Sequence, residues 1–170
     1  MLCTPTNHVD FPRLQREHKS MYHSIVKSKL QAAFAGLNAG RIEAITDLLA
    51  TDADHTFIGS HALSGTRRTP EAIHCWYERL LRLLPDISFT LREIDVQGPP
   101  WHTLATVEWT ETNSGTDGVR TSADGVNVIR IRWGKVTSVH IYTDTVKLVG
   151  TLDRIATQGT LEAHAAPITS

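Results

Sequence analysis

The hydrophobic residues of this chain change their period at Pro85, and no other feature restricts the fold so tightly. Before it they recur mainly at helical spacing; after it they alternate, as in half-buried strands. From about Arg13 to Leu37, the apolar residues Leu14, Met21, Ile25, Leu30, Phe34 and Leu37 mark one side of an amphipathic helix. Asn38-Ala39-Gly40 ends it, because glycine past the last turn takes left-handed dihedrals without a Cβ clash. A short second helix carries Ile42, Ile45, Leu48 and Leu49. Thr69 is the N-cap of a third, with Pro70 in its first turn and Ile73, Trp76, Tyr77, Leu80, Leu81 and Leu84 along it. Pro85 stops that helix.

Asp54 to Gly59 is the β-type run ahead of the switch. Beyond Pro85, Ile87 to Val96, Leu104 to Thr112, Val126 to Trp133 and Val136 to Thr143 read as an antiparallel meander. A last amphipathic segment, Val146 to Ile155, precedes a polar tail. Helices segregated ahead of an antiparallel sheet predict an α+β fold. The expected organisation is an arm over residues 1–12, a single domain over 13–156 and a tail without regular structure over 157–170.

Composition narrows the function classes. Lys and Arg total 17 against 18 Asp and Glu, a near-balance that argues against a nucleic-acid or polybasic membrane-surface partner. No run approaches the roughly 18 consecutive apolar residues of a membrane span, and the start has neither a basic nor an apolar leader region. Two cysteines, Cys3 and Cys75, form no CxxC pair and suit a reducing compartment, so the expected location is cytoplasmic. Nine histidines occur without HExxH or HxH spacing, so no metal is expected, and no motif calls for a cofactor.

A tight turn at Gly134-Lys135, with Gly134 at the first central position of a type II′ geometry, sets the expected hairpin register. Trp133 then opposes Val136, and the pairs Ile131–Ser138, Ile129–His140 and Asn127–Tyr142 follow. Because side chains alternate, Trp133, Ile131, Ile129, Asn127, Ser138, His140, Tyr142 and Asp144 share one face. Ala105, Val107, Trp109, Glu111 and Asn113 share a face of the neighbouring strand. The expectation is a hollow with apolar walls and a polar end where Glu111, Asn113, Asn127, Tyr142 and Asp144 converge.

Leu37-Asn38-Ala39-Gly40, Phe57-Ile58-Gly59, Gly65, Thr69-Pro70-Glu71-Ala72-Ile73, Gly134-Lys135-Val136 and Tyr142-Thr143-Asp144-Thr145 occur in a telling order. In that order over residues 17–155, the chain resembles the SnoaL-like polyketide cyclases of the nuclear transport factor 2-like, ketosteroid isomerase-like superfamily. The resemblance implies a cone-shaped fold, with helices closing a curved sheet, and homodimers formed through the outer sheet face. Site by site it carries over incompletely. The base of the ketosteroid isomerases falls at Phe57, their oxyanion tyrosine at Ala33 and their acidic donor at Asn127. The Asp-Arg-Asp set of limonene epoxide hydrolases keeps its last member at Asp144, with Glu111 and Asn113 at the other two positions. The acidic residue of the SnoaL-like cyclases matches Asp144.

The candidate catalytic residues are therefore Asp144, His140 and Tyr142. Asp144 has two readings: a carboxyl raised in pKa by apolar neighbours for proton transfer, or the N-cap of the helix that follows. His140 is either a proton shuttle or a structural histidine, and Tyr142 either a hydroxyl at the site or a packed ring. The candidate substrate-binding residues are Asn127, Glu111, Asn113, Trp109, Trp133, Phe57, His61 and Trp76, with core packing as the alternative for the tryptophans. Glu111 could serve as a base or pair with a cation, because a buried carboxylate needs a partner. Two functions stand side by side. One is a cofactor-free acid–base enzyme of cyclase, isomerase or dehydratase type, acting on a polyketide-like or other apolar carbonyl compound. The other is a non-catalytic ligand-binding or dimerisation module.

Overall fold

The computed structural model describes residues 11–170, with side chains from residue 21 onward. Most of the expected N-terminal arm lies outside the described residues. Helix α1 (Phe11–Asn38) already runs at residue 11. Its buried stripe is Val26, Leu30, Ala33, Phe34 and Leu37, whereas Met21 and Ile25 face solvent. Asn38 locks the end of α1 to the sheet: its Nδ2 donates to the Phe89 carbonyl at 2.9 Å, and the Phe89 N–H returns a bond to its Oδ1 at 2.8 Å.

After the single turn α2 (Glu43–Thr46), Leu48 and Leu49 leave helical geometry, and strand β1 (Leu49–Phe57) begins five residues earlier than its β-type run suggests. Strand β2 (Gly65–Arg67) occupies what reads as loop in sequence. Helix α3 (Pro70–Leu83) has the expected cap, the Thr69 side chain accepting from the Ala72 N–H at 3.2 Å. The meander comprises β3 (Ser88–Gln97), β4 (Thr103–Asn113), β5 (Thr121–Arg132) and β6 (Lys135–Thr143), followed by α4 (Thr145–Thr157). One six-stranded sheet results, in the order β2-β1-β6-β5-β4-β3, antiparallel throughout except that β1 joins β6 in parallel.

The β5–β6 hairpin corrects the expected register. Its central residues are Trp133 and Gly134, both at positive φ (52° and 80°), as a type I′ turn requires, so Arg132 pairs with Lys135. Continued regularly, that turn would place His140 beside Asn127. The pairing instead shifts between Arg130 and Ile131, leaving Thr137 as an extra residue on β6. Ile129 then faces Val139 and Asn127 faces Ile141. The bulge rotates the apolar side of β6 into the core and turns His140 and Tyr142 outward. Burying Val139 and Ile141 in place of Ser138 and His140 is the physical reason, at roughly 1.5–3 kcal/mol per large aliphatic side chain.

The expected unstructured tail is also corrected. It forms a 3-10 turn (Leu161–His164) and packs back over α3 and β2. Glu162 pairs with Arg79 at 3.3 Å and Arg82 at 2.8 Å, while the carbonyls of Ala166 and Ile168 accept from Arg79 and Arg67. Among the described residues, no helix is long and apolar enough to cross a membrane.

Candidate functional site

Between the helices and the concave face of the sheet lies a cavity of about 50 Å³. Since one water needs roughly 10–15 Å³ by the same measure, it holds only a few waters or one compact molecule. Its walls are aromatic and aliphatic: Phe34, Phe57, Trp76, Phe89, Trp109 and Ile141 among others. The sheet puts Trp109 there by alternation on β4, and Gly125 directly across on β5 makes room for it. A Cβ at Gly125 would lie 2.3 Å from the indole ring.

The polar side chains lining this wall are Glu111, Asn127, Tyr77 and Thr143. Glu111 is 8 % exposed, with no cation bonded to its carboxylate among the described residues. Asn113, buried behind it, donates its Nδ2 to both carboxylate oxygens, at 3.2 and 3.0 Å. Burial pushes the Glu111 carboxyl above the usual carboxylate range, and the Asn113 donor opposes that rise by favouring the charged form. Asn113 is itself held, its Oδ1 accepting from the Gly115 N–H at 3.1 Å and the Thr121 hydroxyl at 3.2 Å. The Trp109 Nε1–H donates to Asn127 Oδ1 at 3.1 Å. That bond orients the amide and leaves its Nδ2 without a partner among the described residues.

Of the expected site residues, the cavity brings together Phe57, Trp76, Trp109, Glu111 and Asn127, with Asn113 in support. The others lie elsewhere. Asp144 does not point into the hollow: it is the solvent-exposed N-cap of α4, its carboxylate accepting from the Lys147 N–H at 3.2 Å. The strand ends at Thr143, so position 144 already belongs to the helix entry. His140 and Tyr142 sit on the outer sheet face, turned there by the Thr137 bulge, with ring centroids 6.5 Å apart. Trp133 is at the hairpin tip, 70 % exposed and 5.9 Å from Trp101, because it forms the turn rather than the strand end. His61 is in the loop after β1, outside the cavity wall. The Leu63 N–H donates to its Nδ1 at 3.3 Å, so Nε2 carries the proton that is donated to the Ile58 carbonyl at 3.2 Å. These bonds hold it as a loop staple, and burial lowers its pKa.

Sequence reasoning missed three residues. His55 shares the parity of Phe57 on β1 and is fully buried, because β1 is flanked by β2 and β6. Tyr77 lies on the buried stripe of α3, where a tyrosine looks like any other core ring. Arg67 is fully buried, with no carboxylate bonded to it among the described residues. It donates to the carbonyls of His55, Ser64 and Gly65, and its guanidinium lies 5.0 Å over the Trp76 ring. Strand β1 supplies the His55 carbonyl, and the chain entering β2 supplies those of Ser64 and Gly65, so no local pattern announces the set. Among the described residues, no cluster of three or more His, Cys, Asp or Glu side chains could hold a metal ion.

A helix-lined, strongly paired antiparallel sheet enclosing an apolar hollow is the nuclear transport factor 2-like architecture. Within it the chain belongs to the SnoaL-like domain family, whose sequence profile matches residues 30–139. Among solved structures it is similar to TerC co-crystallised with polyporic acid, at 22% identity over 74% of this chain and 96% of that one, with a TM-score of 0.66. It is also similar to an NTF2-like protein of unknown function from Burkholderia pseudomallei, at 13% identity, with 74% and 95% covered and a TM-score of 0.67. A putative SnoaL-like polyketide cyclase from Jannaschia sp. aligns at 13% identity over 76% and 92%, with a TM-score of 0.64. At these identities the likeness establishes the fold. A comparison with curated proteins finds no match.

Proposed function

We propose that the protein is a cofactor-free acid–base catalyst on a compact apolar carbonyl compound, with Glu111 as the proton-transfer residue. One observation carries this reading: a single buried carboxylate, with no cation bonded to it among the described residues, lines a largely apolar cavity. Desolvation places such a group nearer neutrality, where a base combines correct protonation with useful driving force. The Glu111 carboxylate takes a proton from carbon adjacent to the carbonyl, the C–H electron pair becomes the enol C=C bond, and negative charge builds on the oxygen. Asn127 Nδ2 is available to donate to that oxygen. Return of the proton from Glu111 to a second carbon completes an isomerisation; alternatively the enolate carbon attacks another carbonyl, whose C=O π pair becomes an alkoxide that takes the proton back from Glu111, closing the ring. TerC, crystallised with polyporic acid, supports small-molecule binding as a use of this hollow.

The test is exchange of α-hydrogens for deuterium in small cyclic ketones such as cyclohexanone and 2-cyclohexenone, followed by mass spectrometry in D2O. Wild-type protein is expected to accelerate exchange, and Glu111→Gln to lower the rate by about 10²–10⁴-fold, the usual worth of a positioned base. Exchange that is equal in both proteins rejects the proposal. In that event ketone binding without exchange points to the ligand-binding module instead. The expected homodimer belongs to the same reading: Leu104, Val126, Val128 and Tyr142 are partly exposed on the outer face, and light scattering measures the mass.

A further inference from the structure

The cavity that holds Glu111 is the first of three apolar hollows lying in series between the helices and the concave face of the sheet. The second, of about 30 Å³, borders the first: Phe34, Ile45, Tyr77 and Asn127 line both. The third, of about 60 Å³, borders the second, with Leu30, Leu48 and Val136 common to the two. It reaches the surface between α1 and the tip of the β5–β6 hairpin, where Ile25, Lys29 and Gly134 are its exposed lining. Ile25 is 51 % exposed there, and a Cβ built on Gly134 would meet no atom within 4 Å beyond its chain neighbours, so the mouth is open.

Side chains form the partitions: Phe34 and Ile45 stand between the first and second hollows, Leu30 and Leu48 between the second and third. Each turns about its own χ angles among staggered wells. The wall is also thin at this point, because α2 is a single turn, and Ile45 on it and Leu48 just after it are only half-buried. The polar groups along the series are mostly committed to the protein. The Tyr77 hydroxyl lies 3.2 Å from His55 Nε2, and the Tyr22 hydroxyl 2.7 Å from Thr103 Oγ1. Asn127 stands where the first hollow meets the second, its Nδ2 without a partner among the described residues. Beyond Asn127 the lining is chiefly aliphatic, so a hydrocarbon chain loses nothing there, whereas a polar chain would give up its hydrogen bonds to water.

From this arrangement we infer that the three hollows are one binding channel, for a ligand whose carbonyl head sits beside Asn127 and whose unbranched alkyl tail runs out between α1 and the β5–β6 hairpin. The head stays compact, as the first hollow requires, and the ligand class is an aliphatic ketone of medium chain length. This inference rests on the first hollow being the site proposed above, and adds the tail and its direction.

The experiment titrates 15N-labelled protein with 2-butanone, 2-hexanone, 2-octanone and 2-decanone and follows the amide signals by NMR. Each methylene that enters the channel is expected to tighten binding by about 4-fold, the worth of burying one CH2. The Lys29 and Gly134 amides should shift with 2-decanone and stay in place with 2-butanone. Leu48→Trp fills the passage into the third hollow and should remove most of the gain of 2-decanone over 2-butanone. Three results each overturn the inference: affinity independent of chain length, a gain that Leu48→Trp leaves intact, or 2-decanone binding that does not move Lys29 and Gly134. The last is read on wild-type protein and decides the matter if Leu48→Trp does not fold. Cyclohexanone exchange that still depends on Glu111 would preserve the proposed function in any of these cases. Conversely, a chain-length gain that Leu48→Trp removes, with no exchange, supports the channel and rejects Glu111 as the proton-transfer residue. If no ketone binds, this inference and the proposed function fall together.

Discussion

Asn113 Nδ2 reaches both carboxylate oxygens of Glu111, at 3.2 and 3.0 Å, two residues apart on the same face of β4. A donor shared between both oxygens favours the charged form, so it moderates the rise in pKa that burial imposes. Asn113→Ala removes it. The pH at which α-hydrogen exchange switches on should then move to a higher value than in wild type, because the carboxylate forms later. A pH–rate series on both proteins checks this, and an unmoved limb would separate Asn113 from the titration of Glu111.

The same carboxyl makes stability depend on pH in a definite direction. Its folded pKa stands above its ordinary value of 4.5, so the folded state holds the proton more tightly than the unfolded state between the two values. Stability therefore falls as pH rises from about 4.5 through the folded pKa, and levels off above it. Glu111→Gln lacks this loss. Its melting temperature relative to wild type should be higher near neutral pH than near pH 4, as scanning calorimetry at the two pH values would read.

His55 acts at acid pH. It is buried neutral with a pKa near 3, against 6.5 in an unfolded chain. The unfolded state gains a proton first, so stability drains away as pH falls from 6.5 toward 3, by several kcal/mol at about 1.4 kcal/mol per pH unit. His55→Gln should flatten that slope in urea titrations between pH 6 and 4. A slope identical to wild type would show that His55 does not control acid unfolding.

Asp144 is a cap, and its removal should behave as one. Asp144→Ala leaves the Lys147 N–H without its acceptor and should cost about 1 kcal/mol of stability. Asp144→Asn should recover most of it. Ketone exchange should remain at the wild-type rate in both variants, and a loss of exchange would return Asp144 to the chemistry.

The bulge at Thr137 assigns opposite faces to neighbours on β6. Ile141→Ala should cost about 2–5 kcal/mol, as deletion from a packed core does. Tyr142→Ala, at a position 38 % exposed on the other face, should cost less than about 1 kcal/mol. Denaturant melts of the two variants compare them directly, and the reverse order would mean that the register is the regular one.

What the chain determined by itself is everything decided within a turn or two of backbone. Apolar period separates α1 and α3 from the meander, Thr69 and Pro85 bound α3, and strict alternation places Trp109 and Glu111 on one face of β4 and Ile129 and Asn127 on one face of β5. These are local sterics and local hydrogen bonds, legible wherever they occur. The SnoaL-like family was legible too, through the order of its short motifs. What only the tertiary structure decided are the choices between competing long-range pairings. One extra residue at Thr137 turned Val139 and Ile141 inward and carried His140 and Tyr142 out of the site. The end of β6 at Thr143 left Asp144 to the solvent and the helix. The closure of β1 between β2 and β6 buried His55 and supplied Arg67 with backbone acceptors from β1 and from the chain entering β2. Each outcome depends on which arrangement buries more apolar surface while leaving fewer polar atoms unpaired. That sum runs over residues far apart in the chain, and no short stretch of sequence contains it.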